Sequence, residues 1–380
     1  MSKLRRFFRM FLIVVGVILF IVVVAAFITT DNLSQLGANP KGTRLERIRQ
    51  SPQYNGRKFV NLVQTNLSVE LAGYREMMSK WLFGKEIREP KGDIPIVHLD
   101  SSSFQNYQND DLRVTWLGHS TALIEIDGYR ILTDPVWSKR CSPSSLTGPA
   151  RFHPVPISLD DLPALDAVLI SHDHYDHLDK DVVRILAKTG VKFLVPLGVG
   201  AHLEKWKIDP SQINELDWGD RYDIADTDLQ FMATPARHFS GRGMVMGSNP
   251  TLWVSWVITG PLHRVFFSGD TGEFPGLAEI GDKYGPFDLT MIKIGAYDKL
   301  WPDIHLNPEQ AVGAHRALKG SVLMPIHWGT FNLAFHAWDE PPERLIDAAE
   351  PESVRIVIPR PGQIISISDP PPVERWWAGL

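Results

Sequence analysis

Residues 171–177 read Ser-His-Asp-His-Tyr-Asp-His and directly follow a short aliphatic run at 167–170. Such a run is typical of a buried strand, so the histidines and aspartates are expected in the loop at its carboxyl end. In an extended loop, His172 and His174 can point to the same side, while Asp176 and His177 turn toward a neighbouring position. Imidazole and carboxylate are ligands that zinc prefers in catalytic sites. The segment therefore predicts a metal centre at the end of a strand.

Further candidate ligands lie downstream and upstream of this loop. Three of them directly follow strand-like runs, and one lies in Thr-Pro-Ala-Arg-His-Phe-Ser; they are Asp134, Asp270, His327 and His238. Taken alone, each is more often a structural residue than a ligand. Because the ends of neighbouring strands meet at one edge of a sheet, their combination with the histidine-rich loop predicts one site assembled from strand ends.

The chain beyond residue 111 predicts an α/β domain. Short β-rich runs at 114–117, 122–126 and 129–133 open it as a meander, with the turn pair Asp127-Gly128 between the last two. Further runs at 167–170, 193–195, 253–258, 265–268, 289–294, 322–326 and 354–358 alternate with helical stretches. One helix is expected to begin at Asn307-Pro308-Glu309 and to be closed by Gly320. The predicted organisation is an anchor at 1–30, a lead-in at 31–110, a catalytic domain at 111–370 and a tail at 371–380.

The N-terminus predicts a single-pass membrane anchor. Residues 10–30 are almost wholly apolar and uncharged, and as a helix they would extend about 31 Å at 1.5 Å per residue. The preceding cations, at Lys3, Arg5, Arg6 and Arg9, would keep the N-terminus in the cytoplasm. The alternative is a cleaved signal peptide with a small-residue site at 24–26. Either interpretation places the catalytic domain in the periplasm or another extracytoplasmic location of a bacterium.

Net charge and cysteine content argue against two features, a nucleic-acid partner and an intrachain disulfide. The formal net charge is −5, and a long nucleic-acid footprint normally requires a basic surface, so no nucleic acid is expected as a partner. The single cysteine, Cys141, excludes an intrachain disulfide. The oligomeric state is left open.

The order of these candidate ligands resembles the motifs of the metallo-β-lactamase superfamily, whose fold is an αββα sandwich. The resemblance implies two Zn²⁺ ions per chain. One ion would be held by His172, His174 and His238, the other by Asp176, His177 and His327, and Asp270 would bridge them. Asp134 would support the ligands from outside the coordination sphere.

Further segments look like the N-acyl-phosphatidylethanolamine phospholipase D family over about residues 40–370. They are Asn55-Gly56-Arg57-Lys58-Phe59, Trp116-Leu117-Gly118-His119-Ser120, Leu132-Thr133-Asp134-Pro135, Leu146-Thr147-Gly148-Pro149 with Arg151-Phe152, residues 170–179, and Ile326-His327-Trp328-Gly329-Thr330. The resemblance implies a phospholipid substrate, cleaved to phosphatidic acid and an N-acylethanolamine when hydroxide on the zincs attacks phosphorus. It implies catalytic roles for Asp176, Asp270 and His305.

Three assignments stay open at this point. His305 would assist at the phosphate or leaving group, or would only flank a helix N-terminus. His119 would contact substrate, or would only occupy a turn. The scissile bond is the third: a lactone or another phosphodiester is the alternative to the phospholipid.

Overall fold

The structure is a computed structural model that describes residues 3–27, 30–67, 71–105, 107–243 and 247–380. Its strands are β1 (Leu112–Gly118), β2 (Thr121–Ile126), β3 (Tyr129–Thr133), β4 (Ala167–Leu169), β5 (Lys192–Pro196), β6 (Ile213–Leu216), β7 (Arg221–Asp223), β8 (Gln230–Thr234), β9 (Ser255–Thr259), β10 (Arg264–Phe267), β11 (Phe287–Lys293), β12 (Gly320–Ile326) and β13 (Ile364–Ser366). Its α-helices are α1 (Lys3–Phe27), α2 (Thr30–Gln35), α3 (Gly42–Gln50), α4 (Leu71–Phe83), α5 (Lys180–Leu186), α6 (Gly200–Lys205), α7 (Gly276–Tyr284), α8 (Pro308–Ala317) and α9 (Glu340–Ala349). Short 3₁₀ helices lie at Ser101–Phe104, Leu159–Asp161, Ala187–Thr189 and Pro210–Gln212.

The strands form two mixed sheets. The first has the order β13-β1-β2-β3-β4-β5-β6 and the second the order β12-β11-β10-β9-β8-β7. The predicted meander is confirmed, because β1, β2 and β3 pair antiparallel in sequence order. Its β2–β3 turn has positive φ at both central residues, 51° at Asp127 and 90° at Gly128, which is the turn geometry that suits the twist of a hairpin.

The two sheets pack face to face, and helices cover their outer sides. Residues such as Ile124 and Leu169 of the first sheet share one fully buried core cluster with Trp256 and Phe266 of the second. On the outside of the first sheet, Val183 of α5 joins a second apolar cluster with the strand residues of β4 and β5. Helices α8 and α9 pack on each other, and α8 also contacts β11 and β12. The predicted sandwich fold is thus confirmed.

Helix α8 begins as the sequence predicts but ends differently. The Asn307 side chain accepts a hydrogen bond from the Gln310 backbone N–H at 2.8 Å, and Pro308 is the first helical residue. The helix ends at Ala317, and the left-handed turn falls on Lys319, with a φ of 59°. Gly320 is already the first residue of β12, so the prediction that this glycine closes the helix is wrong.

The lead-in and the tail both contribute to the core. Ile48 and Phe59 of the lead-in are fully buried, and Trp377 of the tail is 1% exposed. All three belong to the cluster between the sheets. The boundaries at residues 110 and 370 remain predictions, and the flanking segments bury apolar side chains against the central domain.

The predicted anchor at 10–30 falls partly outside the described residues, since residues 28 and 29 are not described and neither are the side chains at 21, 23–27 and 30. Spanning a bilayer requires about twenty consecutive, predominantly apolar helical residues. Within the described part of the chain, no helix reaches the combined length and apolarity that crossing a membrane demands. The transmembrane helix, the membrane contact through it and the single-pass extracytoplasmic location therefore receive no support from the structure.

Candidate metal centre

The ends of several strands carry the predicted site residues. His119 directly follows β1, Asp134 follows β3, Asp270 comes three residues after β10, and His327 follows β12. The histidine-rich loop begins two residues after β4 ends at Leu169. The sandwich brings these strand ends together, as the sequence predicts.

Three histidines form the first group of candidate ligands. Nε2 of His172 lies 2.9 Å from Nδ1 of His174, and Nε2 of His238 lies 3.4 Å from the same atom. Burial lowers the pKa of all three, to about 3 for His238. Neutral imidazole is the form that binds a metal, so this group is already in the protonation state that a cation needs.

A second group lies beside the first. It contains His119, Asp176, His177 and His327, whose ligand atoms all lie within 4.8 Å of one another. Oδ2 of Asp176 lies 3.4 Å from Nε2 of His177 and 3.4 Å from Nε2 of His327. Burial would raise the pKa of Asp176, but His177 next to it holds that pKa well below its usual value.

Asp270 lies between the two groups. Its Oδ2 atom is 3.1 Å from Nε2 of His327, 3.5 Å from Nε2 of His177 and 3.6 Å from Nε2 of His238. Those histidines belong to both groups, so one carboxylate faces the members of each. This is the position in which a single carboxylate can serve two ions.

Unpaired buried atoms show that the residues fit a metal. Among the described residues, Nε2 of His177, Oδ1 of Asp270 and both ring nitrogens of His327 are buried without a hydrogen bond of acceptable geometry. Leaving a buried polar group unpaired costs roughly 1–3 kcal/mol, and more when it is charged. Cations bound between the two groups would give these atoms a partner. No cysteine belongs to any of the groups found in the described part of the chain.

Asp134 holds the loop rather than facing the two groups. Its Oδ2 accepts hydrogen bonds from Nδ1 of His177 and from the Ser171 hydroxyl, both at 2.6 Å, and its Oδ1 accepts from the Ser171 backbone N–H at 2.7 Å. Burial raises the pKa of Asp134, although His177 opposes that shift. A carboxylate that accepts from Nδ1 fixes the tautomer and leaves Nε2 of the same ring for a metal.

His119 lies inside the centre. Its Nε2 is 2.9 Å from Oδ2 of Asp176, and its ring centroid is 4.0 Å from that of His327. Its backbone carbonyl accepts hydrogen bonds from the His327 N–H and from the Trp116 indole, each at 2.9 Å. His119 has a φ of 55°, a left-handed conformation that these contacts hold in place. The structure thus ties one residue to two candidate ligands.

His305 borders a polar cavity at the edge of the centre. Its Nδ1 lies 3.8 Å from Oδ2 of Asp270 and has no hydrogen bond to the residues that the structure describes. Burial lowers the pKa of His305 well below its usual value. The cavity has a volume of about 420 Å³, and its lining includes Lys80, Glu86, Tyr297, Asp298, Lys299, His336, Glu340 and Arg344. Most of the lining side chains are charged or polar, and Pro302 and Phe335 add apolar surface.

Lys293 is a site residue that the sequence analysis missed. It is the last residue of β11 and is fully buried, and its ammonium donates to the Gly295 carbonyl at 2.6 Å. Burial lowers the pKa of Lys293 to about 7, while the carboxylates of Asp270 and Asp176 oppose that shift. The signal in the sequence is its position, because Lys293 ends an apolar strand and the candidate ligands follow other strands at the same edge of the sheets.

Known proteins resemble this chain in sequence. The family described as the Beta-lactamase superfamily domain matches residues 129–328, just over half of the chain. An uncharacterised protein of Mycobacterium tuberculosis is 48% identical over 90% of this chain and 91% of its own length. The N-acyl-phosphatidylethanolamine-hydrolyzing phospholipase D 1 of Caenorhabditis elegans is 38% identical over 63% of this chain and 69% of its own length. A mitochondrial yeast protein of the same description is 32% identical over 62% of this chain and 51% of its own length.

Solved structures agree on the fold. Igni18, a metallo hydrolase from Ignicoccus hospitalis, has a TM-score of 0.52 at 24% identity and covers 67% of this chain and 97% of its own. CmlA, a diiron β-hydroxylase from Streptomyces venezuelae, has a TM-score of 0.51 at 17% identity, over 67% of this chain and 54% of its own. CmlA shares the fold and is described as a diiron protein, so the fold alone does not select zinc. The chain belongs to the metallo-β-lactamase superfamily, and it is a metal-dependent hydrolase of that superfamily.

Proposed function

We propose that the chain is a binuclear zinc phosphodiesterase that hydrolyses N-acyl-phosphatidylethanolamine to phosphatidic acid and an N-acylethanolamine. The observation that carries this proposal is the pair of ligand groups that share Asp270 beside a polar cavity. The relatives in the worm and in yeast, whose names state this activity, support the choice of substrate.

Seven residues would hold the metals in this proposal. His172, His174 and His238 would bind one ion, Asp176, His177 and His327 the other, and Asp270 both. Two divalent cations so held supply Lewis acidity and lower the pKa of water toward neutrality. Nitrogen and oxygen ligands without thiolate suit a catalytic zinc site better than a closed structural one.

The remaining residues would orient the ligands and the substrate. Asp134 fixes the tautomer of His177 through the 2.6 Å contact, and His119 holds Asp176 through the 2.9 Å contact. His305, whose lowered pKa keeps the ring neutral, lies between Asp270 and the cavity. From that place its imidazole could donate a hydrogen bond to a phosphoryl or leaving-group oxygen and stabilise the charge that develops there.

The cavity suits the polar side of the scissile bond. Its cations are already paired with acids: Lys80 with Asp298 at 2.7 Å, and Arg344 with Glu340 at 2.9 Å. A cavity of balanced charge favours a polar, hydrogen-bonding head group over a long hydrocarbon chain, because charged walls are costly to desolvate against methylene groups. The ethanolamine amide and the phosphate are therefore the parts expected here, with the acyl chains outside.

Product analysis tests the proposal directly. Purified protein loaded with Zn²⁺ is incubated in H₂¹⁸O with one of three substrates. They are vesicles of N-acyl-phosphatidylethanolamine, phosphatidylethanolamine without an N-acyl chain, and simple lactones. Mass spectrometry is expected to find N-acylethanolamine and phosphatidic acid from the first substrate, with ¹⁸O in the phosphatidic acid. Attack at phosphorus requires that destination for the label.

Two results would contradict the assignment. Label in the N-acylethanolamine would mean that a carbon–oxygen bond breaks. Turnover of the lactones alone would contradict the assignment of a phospholipid substrate.

A His305→Gln variant separates the role of His305 at the cavity from metal binding. It is expected to keep its zinc while losing turnover, and loss of zinc would instead place His305 among the ligands.

A further inference from the structure

A buried hydrogen-bond network surrounds the carboxylate of Asp173, which lies between two candidate ligands. We name residues 171–178 the metal loop. Asp173 separates His172 from His174 and is completely buried. Its Oδ2 accepts from Nε2 of His202 at 3.1 Å and from the Thr251 hydroxyl at 3.0 Å, and its Oδ1 accepts from the Gly241 backbone N–H at 2.7 Å. These three hydrogen-bond donors all come from residues outside the loop.

His202 connects that carboxylate to the lead-in. While Nε2 donates to Asp173, Nδ1 accepts from the Ala38 backbone N–H at 3.0 Å. The ring stacks on Trp206 at a centroid distance of 5.9 Å and is 3% exposed. Because both nitrogens are engaged in opposite roles, one neutral tautomer satisfies both partners.

Arg242 makes a second connection between the same two segments. Its Nε donates to the Gln35 carbonyl at 2.8 Å, and its Nη1 donates to the carbonyls of Asp173 and Leu178 at 2.8 and 2.9 Å. The guanidinium lies 4.0 Å from the centroid of the Tyr175 ring. It therefore holds the metal loop near its start, in its middle and at its end.

The segment held by these two side chains is residues 34–39, which we name the lead-in strap. The Trp206 indole donates to the Ser34 carbonyl at 2.7 Å, and the Lys180 ammonium donates to its hydroxyl at 2.6 Å. At Gly37, where φ is 70°, an added Cβ would lie 2.0 Å from Nδ1 of His202. Only a glycine lets the strap approach the histidine this closely.

The strap also lies outside the part of the chain that defines the superfamily. The superfamily domain matches residues 129–328, whereas the strap precedes it by about ninety residues. His202, Arg242 and the metal loop lie inside the matched region. Hence the connection joins a segment outside the matched domain to the metal-binding part of the fold.

We propose that His202 and Arg242 are positioning residues that couple the lead-in strap to the metal loop, so that docking of the strap sets the affinity of the three-histidine group for its metal. This proposal rests on the proposed metal centre but not on the lipid substrate. Coupling between two sites is reciprocal, so metal binding must also hold the strap more firmly in place.

A matched pair of glycine variants tests the coupling in the full-length protein. Gly37→Ala places a methyl group against His202, whereas the added Cβ of Gly42→Ala has no atom of the described residues within 4 Å. Both glycines have positive φ. The affinity of metal-stripped protein for Zn²⁺ is measured by competition with a chromophoric chelator. Gly37→Ala is expected to bind at least tenfold more weakly than Gly42→Ala, and equal affinities would overturn the proposal.

Variants of His202 distinguish coupling from a general loss of packing. In His202→Gln the amide can still donate to Asp173 and accept from Ala38, whereas His202→Leu can do neither. Zinc affinity is expected to be kept largely by the first and lost by the second, at similar melting temperatures of the metal-free proteins. If both variants bind zinc equally well, His202 has no positioning role.

Hydrogen exchange of the unaltered protein tests the reverse direction. Addition of Zn²⁺ is expected to slow exchange of the amides at residues 34–39, including that of Ala38, relative to those of α9. Unchanged exchange in a protein that has bound zinc would overturn the coupling and leave the metal centre standing. A protein that binds no zinc would overturn both.

Discussion

Nδ1 of His177 lies 2.6 Å from Oδ2 of Asp134, and neither side chain is exposed to solvent. Asp134 follows β3 and His177 lies in the loop after β4, so this contact joins the ends of two adjacent parallel strands. The opposite nitrogen of His177 is thereby turned toward Asp176 and Asp270. Three carboxylates around one ring hold the pKa of His177 well above its usual value, although burial alone would lower it. This excess of negative charge favours a cation at the same place.

Replacing Asp134 by asparagine is expected to weaken zinc binding. The amide oxygen lacks the negative charge that orients and polarises His177, and loss of such a partner typically costs 10- to 100-fold in metal affinity. Zinc content is measured by mass spectrometry after dialysis against a weak chelator. The control is Glu125→Gln, another buried carboxylate, which pairs with Arg113 and Arg130 instead of a candidate ligand. Equal zinc retention by the two variants would contradict the role of Asp134.

Changes in the two groups themselves should remove activity without unfolding the protein. His174→Ala takes a nitrogen from the first group, and Asp176→Asn removes the charge of a candidate ligand in the second. Turnover is expected to fall below detection in both, while circular dichroism spectra match those of the unaltered chain. Each variant should also bind about one zinc fewer, and turnover that survives either change would show that the groups are misassigned.

The sequence predicted the strands that are apolar on their own. The runs that became β1 and β2 are nearly completely buried, and those of β3 and β12 are buried toward their carboxyl ends. The turn pair Asp127-Gly128 separates β2 from β3. By contrast, β7 is Arg-Tyr-Asp at an exposed edge, where only pairing with β8 makes it a strand. The run at 354–358 was predicted as a strand, but only Ile356 forms a bridge, to Leu323. Its apolar side chains pack without a ladder of hydrogen bonds.

The candidate site likewise contains residues that local sequence motifs predict and residues that only long-range packing brings in. Residues that lie in motifs, such as His172 or His327, were visible because a known ligand spacing surrounds them. For His119 the sequence leaves two roles open, a substrate contact or a turn residue. Its contact with Asp176 joins residues 57 positions apart, and no local pattern indicates it. Lys293 carries no motif, and its burial results from the packing of β11 between β10 and β12. Long-range packing therefore supplied what local patterns did not contain.

Removal of the metals is expected to destabilise the fold. A ligand that binds only the native state adds about 2.7 kcal/mol when its concentration is 100 times its Kd. The melting temperature should therefore fall on treatment with a strong chelator and recover when Zn²⁺ is added back. In Asp176→Asn the decrease should be smaller, because less metal is bound at the start. Identical melting curves with and without chelator would mean that no metal stabilises the native state.

The buried Lys293 predicts a stability that depends on pH. Burial lowers its pKa from 10.5 to about 7, so the folded protein releases this proton near pH 7 while the unfolded chain keeps it to about 10.5. The unfolded state then binds more protons across that window, and this residue makes the free energy of unfolding rise with pH. Below pH 7 its charged form is a constant cost, of the order of a few kcal/mol for such a shift.

Lys293→Met should therefore stabilise the protein most near pH 6, because the methionine has no charge to bury. Its advantage over the unaltered chain should shrink steadily between about pH 7 and pH 10 as the lysine loses its proton. Denaturant unfolding at a series of pH values measures this difference, and Lys188→Met, at an exposed lysine, is the control. A difference that stays constant with pH would show that Lys293 does not titrate in this window, and one that grows would reverse the sign of its shift.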